Sequence, residues 1–377
     1  MTEKIITMEK RIITIEKSFQ PILFLFHITG LESYPKQRFL KHTRLHHFIW
    51  ESPRYLFPFL QCLGIVSEAL AVILLKEKKA SVSVLIIALL LFTVNLQTGI
   101  SRKKIRVILI KLCKCSQMLQ LDQNGRKFQA SILTYCFVMI TSFVSYTLLY
   151  RFSNAFETYK NLFENANPSF LKSKQYVMLI PEIIVIISPI MTALVMIPLT
   201  GYYGFVCIYV KLLFNRIEEK IGHLSKSSPY MPLIQSYLEL IGIMKSLDDY
   251  LCFSAFVIVL STMFGLFFLN FKIMFRSSDY LSSLFGEIWF LVSICMIIIS
   301  ASAANNAFFT TKETIQSLPW KIPQYHTQLK MIIRCKCMRS VSLTLWKVYK
   351  IERSLIFSAM GTLVTYGILL ATLSGPK

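Results

Sequence analysis

The chain has 377 residues, of which 54% are hydrophobic and only 16% charged, and its mean hydropathy is +0.54. A soluble domain of that length cannot hide so much apolar surface, so the composition excludes a soluble globular class and implies an all-α polytopic membrane protein. The net charge of +21 arises from 41 Lys and Arg against 20 acids; the cations gather between apolar segments, which points to membrane topology and anionic lipid rather than to nucleic acid.

Residues 1–54 read as a basic, cytosolic segment. Met1 to Lys17 interleaves apolar and charged residues as a short amphipathic helix does, and Phe19 to Ile28 is apolar but too short to span. That second stretch is expected at the interface or packed on the cytosolic side. His42, His46 and His47 precede the first span and read as a basic juxtamembrane strip rather than a metal site. Cys113/Cys115 and Cys335/Cys337 have no familiar metal-ligand spacing and read as reduced thiols, so no metal or other cofactor is expected.

Seven spans follow. The first covers about Tyr55 to Leu75 and the second about Ser81 to Ile100, forming a tight hairpin. After a basic linker the third runs about Ala130 to Tyr150, and residues 151–175 form a polar loop. Tyr176 to Val210 is apolar with one acid, Glu182, and holds Pro181, Pro189 and Pro198. No polar turn divides it, so it reads as one long, kinked helix. Residues 211–250 are charged and helical in pattern, with a break near Ser227 to Pro232. Spans five (about Leu251 to Phe271) and six (about Leu284 to Phe309) come next. Residues 310–353 form a polar, basic linker, and residues 354–377 hold the last span. No repeat relates the two halves, which disfavours a transporter built from duplicated units.

The linkers on one side of these spans carry 31 of the 41 Lys and Arg, and those on the other side 10. The positive-inside rule then places the N-terminus in the cytosol and the C-terminus outside. A receptor signalling through G proteins has the opposite orientation.

The last span is uncharged from Ser354 to Leu373. Ser358, Thr362, Thr365 and Thr372, with Leu369 between, repeat at 3.5 residues and so share one helix face beside Gly361. A hydroxyl facing lipid gains no partner there, so this face is expected to meet another helix, another copy of the chain, or water.

The inverted seven-span topology, the long final linker and this last span resemble the insect chemoreceptor superfamily. Glu352 to Ser358 and Gly361 to Leu373 carry the likeness. Arthropod gustatory receptors end with Thr-Tyr, five apolar residues and Gln-Phe; here Thr365-Tyr366 match, residues 367–371 fit, and Thr372-Leu373 replace Gln-Phe. The resemblance implies a plasma-membrane, ligand-gated, nonselective cation channel, a homotetramer or a hetero-oligomer with related receptors. The last helix of each subunit lines the pore, and a pocket in the outer half takes a small organic tastant. By position, Thr365, Leu369, Thr372 and Leu373 become pore and gate residues and Tyr366 a helix anchor.

Outer-half aromatic and polar residues are the ligand candidates. Phe143, Tyr146 and Tyr150 share a face of span three; Tyr176 and Glu182 open span four. Phe268 and Asn270 end span five, and Glu287 and Trp289 begin span six. Asn95, Asn305 and Asn306 sit nearer cytosolic ends, where interhelical hydrogen bonds or caps are expected. An odorant receptor of the same superfamily, or a non-conducting partner subunit or membrane adaptor, is the alternative. No nucleophile–base or paired-acid constellation stands out, so an enzyme is not expected.

Overall fold

The structure is a computed structural model. It describes residues 18–30, 44–74, 78–120, 125–153, 179–223, 230–275, 280–321, 325–337, 340–359, 361, 362 and 365. After a short helix α1 (Ser18–Ile28), six long helices build the fold among the described residues: α2 (Arg44–Leu74), α3 (Lys78–Met118), α4 (Gly125–Arg151), α5 (Leu179–Gly222), α6 (Met231–Phe275) and α7 (Tyr280–Gln316). Two short helices, α8 (Leu318–Lys321) and α9 (His326–Ile332), lead through a π turn (Ile333–Cys337) to a β-hairpin. The hairpin pairs Thr344 with Lys350 and Leu345 with Tyr349. A final helix, α10, begins at 354.

α3 to α7 are each long and apolar enough to cross a bilayer, and α2 holds a shorter apolar stretch, Tyr55–Leu70. The helices run past the apolar spans. α3 continues through the basic linker to Met118, and α6 joins the charged stretch from Met231 to span five without interruption. The run from Tyr176 becomes a single helix from Leu179, with Pro189 and Pro198 inside it.

α5 is the centre of the bundle. Of its apolar window 89% is buried, against 28% for α3 and 33% for α4, so α3 and α4 face lipid while α5 faces protein. It packs against α2, α3, α4, α6 and α7. Gly204 sets the approach to α7, because a Cβ there would lie 2.7 Å from Met296 Cε and 2.9 Å from the Met296 carbonyl oxygen. α7 answers with a buried run of small residues, Ser300 to Ala304, as close-packed membrane helices do.

Tyrosines on α5 and α4 tie the helices together. Tyr202 donates to the Ile105 carbonyl of α3 (2.8 Å), Tyr209 to Ser116 Oγ (2.8 Å), and Tyr135 of α4 to the Ile197 carbonyl (3.0 Å). Each such buried bond contributes about 0.5–1.5 kcal/mol. α1 is packed rather than free: Phe19, Ile22 and Phe26 are buried, with Phe19 5.6 Å from Phe128 and Phe26 5.8 Å from Tyr202, centroid to centroid.

Candidate functional site

The first candidate region lies between α4 and α7. Spacings of three and four put Phe143, Tyr146 and Tyr150 on one face of α4, and that face meets the start of α7. Phe143 lies 5.7 Å from Trp289, and Tyr146 stacks on Tyr150 at 6.2 Å. Gly286 makes the approach possible. A Cβ at that position would stand 2.7 Å from Leu269 Cδ1 and 3.0 Å from Tyr146 Cδ2. Trp289 is 4% exposed, yet its indole Nε1 has no hydrogen-bond partner among the described residues. A buried donor without a partner costs about 1–3 kcal/mol. The region is therefore a buried aromatic cluster in which the Trp289 indole N–H is left unused.

The other ligand candidates are distributed differently. Phe268 is 45% exposed and Asn270 donates its Nδ2 to the Leu266 carbonyl of its own helix (2.8 Å), so neither joins the aromatic cluster. Glu287 is half-buried, two residues before Trp289. Glu182 lies in the first turn of α5, with its side chain outside the described residues, and Tyr176 lies outside them altogether.

A buried acid escaped the sequence reading. Glu68, on α2, is 5% exposed and accepts a hydrogen bond from Ser188 of α5. It shares a stripe with Gly64, whose Cβ position is 3.9 Å from Ser188 Cα, and with Gln61, whose Oε1 accepts from Asn95 Nδ2 of α3 (2.9 Å). The signal was present: Glu68 is the lone acid of an otherwise uncharged span, and an intramembrane acid faces protein or a cavity rather than lipid. Asn95 makes the interhelical bond its position suggested.

The second region is the hairpin that precedes α10. Asn305 of α7, 1% exposed, holds it by three bonds: its Nδ2 donates to the carbonyls of Leu343 (3.2 Å) and Ile351 (3.0 Å), and its Oδ1 accepts from the Leu343 N–H (2.8 Å). This is neither a cap nor a helix–helix bond. Asp248 of α6 accepts from both the N–H (2.7 Å) and the hydroxyl (2.8 Å) of Thr344, and burial holds its carboxyl above the usual range against the pull of those bonds. Asp249 pairs with Lys347 at 2.6 Å.

The turn itself is strained. Trp346 and Lys347 have φ of 51° and 57°, and Val348 N–H donates to the Leu345 carbonyl (3.1 Å), so a type I′ turn is built without Gly or Asn. Left-handed backbone at such residues costs roughly 1–2 kcal/mol each. Contacts with α6 offset it: the Trp346 N–H donates to the Cys252 carbonyl (3.2 Å), and the Trp346 ring lies 5.2 Å from Phe256.

In α10, Ser358, Gly361, Thr362 and Thr365 are all exposed, while Ala359 is buried. The hydroxyl face thus points away from the bundle. Its hydroxyls do find partners within the helix, since Thr362 donates to the Ser358 carbonyl and Thr365 to that of Gly361 (2.8 Å). Tyr366, Leu369, Thr372 and Leu373 lie outside the described residues.

No protein-family model matches the chain, and no curated protein matches it in sequence. Among solved structures, the insect olfactory receptor OR5 from Machilis hrabei matches with a TM-score of 0.69 and 11% identity, over 95% of this chain and 98% of that one. The same receptor in complex with eugenol matches with a TM-score of 0.69 and 11% identity over 96% and 99%. The class is therefore an all-α, multi-pass membrane fold. It is the fold of that olfactory receptor, whole chain against whole chain.

Proposed function

We propose that the chain is a gustatory receptor: a ligand-gated, nonselective cation channel of the plasma membrane opened by a small organic tastant. The observation that carries this reading is the whole-chain likeness to an olfactory receptor that also matches in complex with eugenol. Four subunits surround a pore lined by the last helix, residues 354–377, with Thr365, Leu369, Thr372 and Leu373 facing the ions and Tyr366 anchoring the helix. The exposed hydroxyl face at 358–365 supports it, because a single subunit leaves that face without protein cover among the described residues. Residues 1–54 and 310–353 are cytosolic, the latter an anchor, and residues 55–309 hold the ligand pocket in their outer half.

Phe143, Tyr146, Tyr150 and Trp289 form the pocket's aromatic wall, and the free Trp289 N–H gives an oxygen-bearing ligand something to bond. Tyr176, Glu182, Phe268, Asn270 and Glu287 are the remaining lining candidates. The structural neighbours favour one second reading, an odorant receptor-type channel, because both are olfactory. A Thr365-Tyr366 pair without Gln-Phe after it also suits a non-conducting partner subunit or membrane adaptor. Expression of the chain alone and with a related receptor, with cation current recorded against tastant and odorant panels, separates these readings. Current to tastants from the chain alone supports the first; silence in every combination, with surface expression confirmed, defeats both channel readings and favours the non-conducting one.

A further inference from the structure

The lipid-facing side of α3 does not end where its apolar span ends. Ile86, Leu89, Thr93, Leu96 and Ile100 are exposed at spacings of three and four, and the same stripe continues through Lys103, Val107, Ile110 and Lys114, all exposed. The opposite face stays buried throughout, at Ile105, Ile108, Leu112 and Cys115. α4 shows the mirror arrangement. Its exposed stripe of Val144, Ile140, Phe137 and Leu133 runs back into Lys127 and Arg126.

Arg102 and Lys103 on α3 and Arg126 and Lys127 on α4 have no acidic partner among the described residues. Their neighbours are engaged: Lys114 pairs with Glu239 at 3.1 Å, and Lys104 lies 4.1 Å over the Tyr250 ring. The free cations therefore occur within about a turn of where each helix leaves the hydrocarbon, at the depth of lipid headgroups.

We infer that these two helix faces form a binding collar for anionic phospholipid headgroups at the basic end of the bundle. Charge complementarity selects a phosphate-bearing partner, since Lys103, Arg126 and Lys127 on the exposed stripes, and half-buried Arg102 beside them, have no acidic partner among the described residues. The aliphatic continuation selects lipid over free phosphate. Ile100 is 84% exposed and Val107 47%, and flanking aliphatics suit a headgroup–acyl boundary, where lysine stems lie on apolar surface and their ammonium groups reach phosphate. This inference stands apart from the gustatory reading, because it needs neither a pore nor a tastant.

The test uses the full chain, purified in micelles of mixed phosphatidylcholine and phosphatidylserine, with retained lipids counted by native mass spectrometry. Wild type is expected to retain phosphatidylserine selectively. Each cation removed in Arg102→Gln, Lys103→Gln, Arg126→Gln and Lys127→Gln lowers that retention about five-fold, with phosphatidylcholine unchanged. A second measurement needs no variant: raising salt strips phosphatidylserine from wild type and leaves phosphatidylcholine. Undiminished phosphatidylserine in the quadruple variant, or indifference to salt, overturns the inference. So does inorganic phosphate that displaces the lipid while Ile100→Ser and Val107→Ser have no effect, because that outcome describes a small-anion site.

Discussion

Asn305→Ala is the most informative single change outside the last helix. Asn305 makes three bonds to the hairpin, but their loss is unequal, because the Leu343 carbonyl also accepts from the Ile351 N–H (3.1 Å) and keeps that partner. Two backbone groups are stranded: the Leu343 N–H and the Ile351 carbonyl. Leu343 and Ile351 are each 0% exposed, so water does not replace the lost bonds. At about 1–3 kcal/mol for each stranded group, the hairpin loses about 2–6 kcal/mol of local stability. A loss near the middle of that range speeds local opening by roughly a thousand-fold. Hydrogen-exchange mass spectrometry on peptides covering 340–353 reads it, with α4 peptides as an internal reference. Exchange at 340–353 that matches wild type would refute the reasoning, because it would mean the hairpin holds without Asn305.

Gly204→Leu is expected to destabilise the bundle by about 3 kcal/mol or more, since even a Cβ would meet the Met296 backbone carbonyl at 2.9 Å; detergent thermal melts and size-exclusion profiles check it. Trp289→Phe is expected to change fold stability by only about 1 kcal/mol, because the indole N–H has no partner to lose, while shifting ligand dose–response curves. An equal, large loss of stability would instead show a structural bond to that nitrogen. Lys347→Gly is expected to leave the hairpin as protected as wild type or more so, by roughly 1 kcal/mol from relief of the positive φ, and Lys347→Val to loosen it; hydrogen exchange at 343–351 ranks the two.

Legibility in the sequence followed the range of the forces involved. The Tyr176 to Val210 run was readable as one helix because no polar turn interrupts it, and prolines at 189 and 198 sit inside without ending it. Phe143, Tyr146 and Tyr150 were readable as one face from spacing alone. That Trp289 meets Phe143 was not, since this depends on how closely α4 and α7 approach at Gly286.

Helices and membrane spans end at different places for a physical reason. Hydropathy marks where a chain leaves lipid, whereas an α-helix ends only where its backbone ladder stops, and Lys and Arg are good helix formers. α3 therefore runs on past its apolar span, through Arg102 to Lys114 of the basic linker. The hairpin left no local signature either. Its turn carries Trp346-Lys347 where a type I′ turn favours Asn-Gly, and it is held in place by Asp248, Cys252 and Asn305, which are distant in sequence. Glu68 was legible but passed over; one acid in an uncharged span is a stronger cue than an aromatic at an interface.

The central claim, a cation pore lined by the last helix, is tested most directly at Thr365, whose exposed side chain lies on the hydroxyl face. Single-channel recording compares the wild-type chain with Thr365→Trp at matched surface expression. The account predicts ligand-evoked openings that carry sodium and potassium alike, with unitary conductance reduced several-fold in the variant. Unitary currents of identical size in the two proteins would contradict a pore lined by this face.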